Sequence, residues 1–257
     1  MTPTVLRDPG VGEPLSITRL VEQNVLSPLM AAYMWFIVER KALFFIAGPT
    51  GSGKTTLLNA LLCLMGPTEA LKPDLGMKPD YLIVGEIRTA RDLNTFLDVM
   101  RAGHLGLATI HASNPDYLLM RLRAMGIDPS AVERLWGCAI TLPALRQGTS
   151  LKRRVVVIAD FQPVGANEVE PVEVVKWLPS GDTFEPEEPE ELFERSPRLR
   201  AYSEYARIGK DEIVSELAQK KSIIESLVRK KITDYESVAK TIASIKAVVR
   251  AYERVKQ

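Results

Sequence analysis

Hydrophobic and polar positions change period along this chain, and the changes mark its elements. Ser16 can cap a short helix through Gln23, and Ser27 with Pro28 offers a capping hydroxyl followed by proline in the first turn. Leu29, Met30, Tyr33, Met34 and Ile37 then fall at helical spacing. Residues 42–47 form a short continuous apolar run, the mark of a strand buried on both faces. Gly48 opens a loop, and residues 55–64 return to helical spacing. Residues 81–84 and 107–110 predict two more buried strands, with a helix around 92–102 between them. Strand, helix, strand in that order implies a parallel sheet with crossover helices. Residues 118–125 and 131–137 predict helices, and 153–159 and 172–178 predict strands paired antiparallel. Residues 182–194 hold seven acidic side chains and predict a solvated linker. From Arg198 to Gln257 helix formers dominate, with Thr233 and Glu236 at capping-box spacing. Val238, Ile242, Ile245, Val249 and Tyr252 follow on one helical face. Residues 1–15, rich in Pro and Gly, predict an irregular lead-in.

Composition narrows the classes. A chain of 257 residues suffices for one large domain, or one domain with a small appendage. The net charge of +1 gives no general case for nucleic acid or an acidic membrane. The last 60 residues carry 14 Lys or Arg against 8 Asp or Glu, and their charges fit the solvated faces of amphipathic helices. Cys63 and Cys138 form no C-x-x-C pair, so zinc is not expected, and their apolar neighbours predict buried free thiols. The longest apolar stretches, 29–38 and 42–47, are separated by Glu39, Arg40 and Lys41. Both fall short of the roughly 18 residues needed to span a bilayer.

The loop after the first apolar strand carries the clearest chemistry. Gly48, Pro49, Thr50, Gly51, Ser52, Gly53, Lys54 and Thr55 match the phosphate-binding pattern G-x-x-x-x-G-K-[ST], with Thr56 next. The glycines let the backbone wrap close to phosphates, and the following helix adds the favourable end of its dipole. Lys54 is placed to reach the β and γ phosphates of ATP, and the Thr55 hydroxyl to ligate Mg²⁺. Glu86 follows a buried strand, in the sequence Gly85-Glu86-Ile87-Arg88. A carboxylate beyond a strand's carboxyl end can orient a water, accept its proton, or hold Mg²⁺ through water. It can also simply end the strand. The only two histidines, His104 and His111, flank the next predicted strand, where a titratable ring can read phosphate charge.

The order of these motifs, G-x-x-x-x-G-K-T, then G-E-x-R, then G-H-x-G-x-x-T-x-H-A, resembles the type II/type IV secretion ATPase superfamily of pilus-assembly, archaellum and DNA-transfer motors. The segment 26–35 and the tail around Lys231 to Tyr235 resemble archaeal members most. The resemblance implies an α/β fold: a RecA-like P-loop core with a mostly parallel sheet and a C-terminal helical appendage. On that basis residues 1–41 are lead-in and N-terminal helices, 42–181 the ATPase domain, 182–197 an acidic linker and 198–257 the helical region. It further implies that Glu86 is the catalytic glutamate, within a strand motif that includes Arg88. His104 and His111 belong to a box that senses the γ-phosphate, with Arg121 after it. The expected assembly is a homo-hexamer at the cytoplasmic face of the cell membrane, docked on a polytopic platform protein.

Two departures from the family pattern stand out. The family's N-terminal domain has no counterpart before Ser16. The family's acidic box on its own strand is also missing, with the join near Pro67 and Thr68 and several tens of residues skipped. Such a loss is expected to disturb the sheet, because parallel neighbours satisfy each other's backbone groups. Thr89 and Arg91 stand where Gly and Glu are common. These departures keep a nucleotide-binding regulator or a hydrolysis-defective remnant beside the motor reading. A DNA-dependent P-loop motor would need a basic channel with interleaved aromatics, and nucleic acid is not the partner expected here.

Overall fold

The computed structural model describes residues 14–40, 42–65, 81–101, 105–126, 135–147, 150–164 and 168–256. Two short helices lead, α1 (Ile17–Glu22) and α2 (Pro28–Glu39). Both start as the sequence predicts: Ser16 Oγ accepts from Arg19 N and Ser27 Oγ from Met30 N, each at 3.0 Å. Then come β1 (Leu43–Ala47), α3 (Lys54–Leu62), β2 (Tyr81–Ile87), α4 (Ala90–Arg101), β3 (Leu105–Ile110) and α5 (Pro115–Ala124). β4 (Leu135–Gln147), β5 (Ser150–Pro163), β6 (Val169–Leu178) and β7 (Thr183–Glu185) follow. Four helices close the chain: α6 (Pro189–Arg195), α7 (Pro197–Ala206), α8 (Lys210–Arg229) and α9 (Tyr235–Lys256).

The strands form one sheet in the order β2-β3-β1-β4-β5-β6-β7. β2, β3, β1 and β4 run parallel, and the β4–β5, β5–β6 and β6–β7 pairs are antiparallel. β1 is the centre of the parallel part. Its alternate residues serve two cores: Phe44 and Ile46 face α2, α3 and the C-terminal helices, while Leu43, Phe45 and Ala47 face α4 and α5. Burial on both faces is why its sequence reads as an unbroken apolar run. α2 is apolar around its whole circumference, residues 29–38 all being buried, and α8 packs against it. Ile213, Leu217 and Ile224 of α8 join Val238 and Ile242 of α9 in the same core as α3. The C-terminal helices are therefore packed onto the P-loop side of the sheet. An ionic cluster pins the contact. Lys220, 8% exposed, meets Glu39 at 2.6 Å and Glu216 at 2.9 Å, and Arg40 grips Glu216 in a two-pronged pair.

Four expectations change. Leu135 to Gly137 are strand, not helix, because they pair with Leu43 and Phe44 of β1; residues 131–134 lie outside the described residues. The acidic stretch 182–194 is folded: β7 pairs with β6, and Phe184, Leu192 and Phe193 are buried. The cap of α9 falls one residue later than predicted. Asp234 accepts from Ser237 N at 2.8 Å, while the Thr233 carbonyl is taken by Ser16 Oγ. Finally, the ladder β2–β3–β1 stays paired despite the apparent gap before it, because β2 lies at the end of the strand order and the interruption falls outside the ladder. The join itself, near Pro67 and Thr68, and the lead-in before residue 14 lie outside the described residues.

Candidate functional site

Three strand ends converge on one spot. The P-loop leaves β1 at Ala47, which is in register with Ile110 at the end of β3, and Gly48 N donates to the Ile110 carbonyl at 3.3 Å. Ile87 of β2 is also in register with Ile110, across an irregularity that begins after Val84. A bulge of that kind re-aims side chains. Here it carries Gly85 and Glu86, and Thr109 Oγ1 of β3 donates to the Gly85 carbonyl, fixing the bulge. Glu86 is thereby turned toward the end of β3, where His111 begins the next loop.

The carboxylate is fully engaged. Glu86 Oε1 lies 2.7 Å from His111 Nε2, and Glu86 Oε2 accepts from Arg88 Nε at 2.8 Å and lies 2.6 Å from Arg88 Nη2. Partial burial alone would raise the Glu86 carboxyl, but the Arg88 hydrogen bond and charge, with His111 and Lys54 nearby, hold it below its ordinary value. Arg121 of α5 donates to the His111 carbonyl at 2.7 Å, anchoring that loop from behind. α5 starts where Asn114 accepts from Tyr117 N at 2.8 Å, which sets the position of Arg121 two turns on. His104 lies outside the described residues.

The phosphate loop closes on itself. Lys54 Nζ donates to the carbonyls of Gly48 at 3.0 Å and Pro49 at 2.9 Å. Burial lowers the Lys54 ammonium below its usual value, and Glu86 partly counters this. Gly53 caps α3 in the left-handed region, φ +88°, which a side chain resists. Gly51 and Thr50 stand exposed at the tip, and Thr55 and Thr56 are half-buried in the first turn of α3.

One residue that sequence reasoning passed over holds the loop from the other side. Thr141 of β4, 3% exposed, donates from Oγ1 to the Ala47 carbonyl at 3.1 Å and lies 2.8 Å from Ser52 Oγ. A Cβ on Gly48 would stand 2.4 Å from the Thr141 carbonyl oxygen. Neither contact is written in a motif; only the β1–β4 pairing creates it. Among the described residues no group of three or more His, Cys, Asp or Glu side chains gathers to hold a metal. One hydroxyl and one carboxylate beside a phosphate loop suit Mg²⁺, which keeps most of its waters and leans on substrate phosphates. No helix among the described residues is long and apolar enough to cross a membrane.

Comparison with known proteins covers part of this site, since the family match begins after the phosphate loop. Residues 63–141 match the family model described as "Type II/IV secretion system protein". The chain is 28% identical over 271 positions to the uncharacterized protein MJ1287 of Methanocaldococcus jannaschii, covering 89% of this chain and 97% of that one. It is 29% identical over 129 positions to the type IV pilus assembly ATPase PilB of Acinetobacter baylyi, covering 38% of this chain and 22% of that one. Among solved structures, the ATPase DotB of Legionella pneumophila superposes with a TM-score of 0.42 at 17% identity, over 85% of this chain and 59% of that one. The chain thus spans nearly all of MJ1287 but a minor part of PilB. The 271 positions shared with MJ1287 involve 89% of 257 residues here, about 229, so some 42 positions of that relative have no counterpart. The matched segment contains Glu86 and His111 and follows the phosphate loop, and over it the chain is similar to type II/IV secretion system proteins.

Proposed function

We propose that this chain is the ATP-binding and ATP-hydrolysing motor core of a machine that assembles filaments of the type IV pilus or archaellum kind, or secretes protein. The observation that carries the reading is the convergence of Gly48, Glu86 and His111 at three neighbouring strand ends. On nucleotide binding, Lys54 leaves the Gly48 and Pro49 carbonyls for the β and γ phosphates, and the P-loop amides surround them. Thr55 and Glu86 would hold Mg²⁺, which when bound would supply charge neutralisation on the phosphate oxygens. Glu86 orients the attacking water and accepts its proton. His111, with His104 in the same box, couples that carboxylate to the presence of the γ-phosphate. Arg88, 74% exposed, is the partner Glu86 must release before it can take a water. The motor works as a homo-hexamer, held at the cytoplasmic face of the membrane by a polytopic platform protein.

A second reading has specific support. Both Glu86 oxygens are occupied by side chains, and some 42 positions of a relative are missing here. Both features favour a nucleotide-binding regulator that turns over little. Steady-state ATP hydrolysis by the chain and by Glu86→Gln separates the two. The motor reading expects turnover that falls by two to four orders of magnitude, about the worth of a general base, while ATP still binds. Binding without turnover in either protein leaves the regulator.

A further inference from the structure

Lys152, Arg153 and Arg154 follow one another on β5, beside the phosphate loop. Asp182 neutralises two of them. Arg154, 2% exposed, donates to it from Nε at 2.7 Å and Nη2 at 2.6 Å, and Lys152 Nζ lies 3.2 Å away. Lys152 and Arg154 share one face of the strand, and Arg153 between them takes the other. The Arg153 Cδ stands 3.5 Å from where a Cβ on Gly53 would be, over the start of α3. Among the described residues no hydrogen bond or ion pair engages its guanidinium. Among the described residues this cation therefore has no anion beside it, and it overhangs a loop that is itself built to attract one.

A cavity of about 360 Å³ opens at the same place, between Gly53, Thr56 and Leu57 on one side and Arg153 on the other, with Leu20 and Val25 in its wall. The size suits a nucleoside, and the mix of apolar wall and few polar groups is that of a small-molecule site. The strand order gives the direction. Glu86 on β2 lies two strands to one side of β1, and Arg153 on β5 lies two strands to the other. A nucleotide whose γ-phosphate faces Glu86 must send its α-phosphate and nucleoside toward Arg153.

We propose that Arg153 clamps the α,β-diphosphate of the bound nucleotide and that the ribose and base fill this cavity. The inference rests on the nucleotide-motor reading and adds to it: Arg153 holds the nucleoside diphosphate that remains after hydrolysis, so it sets how long product stays. The guanidinium fork suits two oxygens of neighbouring phosphates, as a lysine does not.

The test is calorimetric titration of the full chain with ADP, ATP and inorganic pyrophosphate, each with Mg²⁺. Arg153→Ala, Arg153→Lys and Lys54→Ala are the variants. Arg153 is exposed, so its replacement leaves the core untouched. Arg153→Ala is expected to weaken ADP and ATP alike, about ten- to a hundredfold, the worth of a charge-assisted hydrogen-bond pair. Arg153→Lys is expected to recover part of the loss, and ADP to bind the parent more tightly than pyrophosphate does. An Arg153→Ala protein that binds ADP within twofold of the parent, while Lys54→Ala loses it, overturns the clamp and leaves the motor reading standing. Loss of ATP alone, with ADP unaffected, also overturns it. Unchanged ATP binding in Lys54→Ala overturns both.

Discussion

Replacing Tyr33 by Phe removes one oxygen from a fully enclosed polar network. Tyr33, wholly buried on α2, donates to Asp160 Oδ1 on β5 and accepts from Trp136 Nε1 on β4 at 2.7 Å. Asp160 Oδ2 accepts from Ser196 Oγ and from Arg198 N, and Ser196 in turn caps α7 by accepting from Leu199 N at 3.0 Å. Phe fills the same space, so no cavity opens, and the loss is polar only. The indole N–H of Trp136 is left unpaired, at about 1–3 kcal/mol, and the carboxylate loses one donor, at about 1.5–3 kcal/mol. Together these give about 2.5–6 kcal/mol at a pH where Asp160 is ionised. The pH dependence follows from burial, which raises the Asp160 carboxyl to about 6 against its three donors. Because the folded value lies above the unfolded one, this group's stability is full below about pH 4 and is lost as pH rises through about 6. Phe takes a donor from the charged form and pushes the folded value higher still. The deficit of Tyr33→Phe should therefore be largest near pH 8 and shrink toward about pH 4. Urea unfolding of parent and variant at both ends of that range measures it. A deficit under about 1 kcal/mol near pH 8, or one that grows on acidification, refutes the reasoning.

Two further perturbations test other parts of the structure. Gly48→Ala drives a Cβ to 2.4 Å from the Thr141 carbonyl oxygen, so the loop must shift. Overpacking of that kind costs about 1–3 kcal/mol, and thermal unfolding together with ATP titration should show lower stability and weaker binding. Parent-like values in both would mean that β4 does not support the loop. Asp182→Asn leaves Arg154 buried without its anion, and urea unfolding near pH 7 should show a loss of about 2–3 kcal/mol, the lower range because Asp182 is partly exposed. Arg154, first among several partners, holds the Asp182 carboxyl far below its usual range, so its contribution is present above about pH 4 and fades as pH falls. The gap between parent and variant should narrow with it.

What the sequence reveals of the site depends on how locally each residue is held. The phosphate loop is legible because eight consecutive residues make it. Glu86 and His111 are legible because each ends or follows an apolar run, although their contact at 2.7 Å depends on the bulge at Gly85. Thr141 and Arg153 carry no signature of their own. They reach the loop only because β4 pairs with β1 and β5 with β4, and the start of β4 reads as helix from its composition. Tertiary pairing overrides that local preference. The acidic stretch misleads in the same way: its charges suggest solvent, but Phe184, Leu192 and Phe193 among them supply the buried contacts.

The union of α2 with α8 also has a consequence for how the chain is made. Arg40 and its partner Glu216 are 176 residues apart, and α2 presents apolar side chains on every side. At a synthesis rate of about 5–20 residues per second, α2 waits on the order of ten to thirty seconds after leaving the ribosome before α8 exists to cover it. Until then only earlier elements of the same core, among them α1, α3 and β1, are there to cover the apolar side chains of α2, and the face that α8 takes stays open.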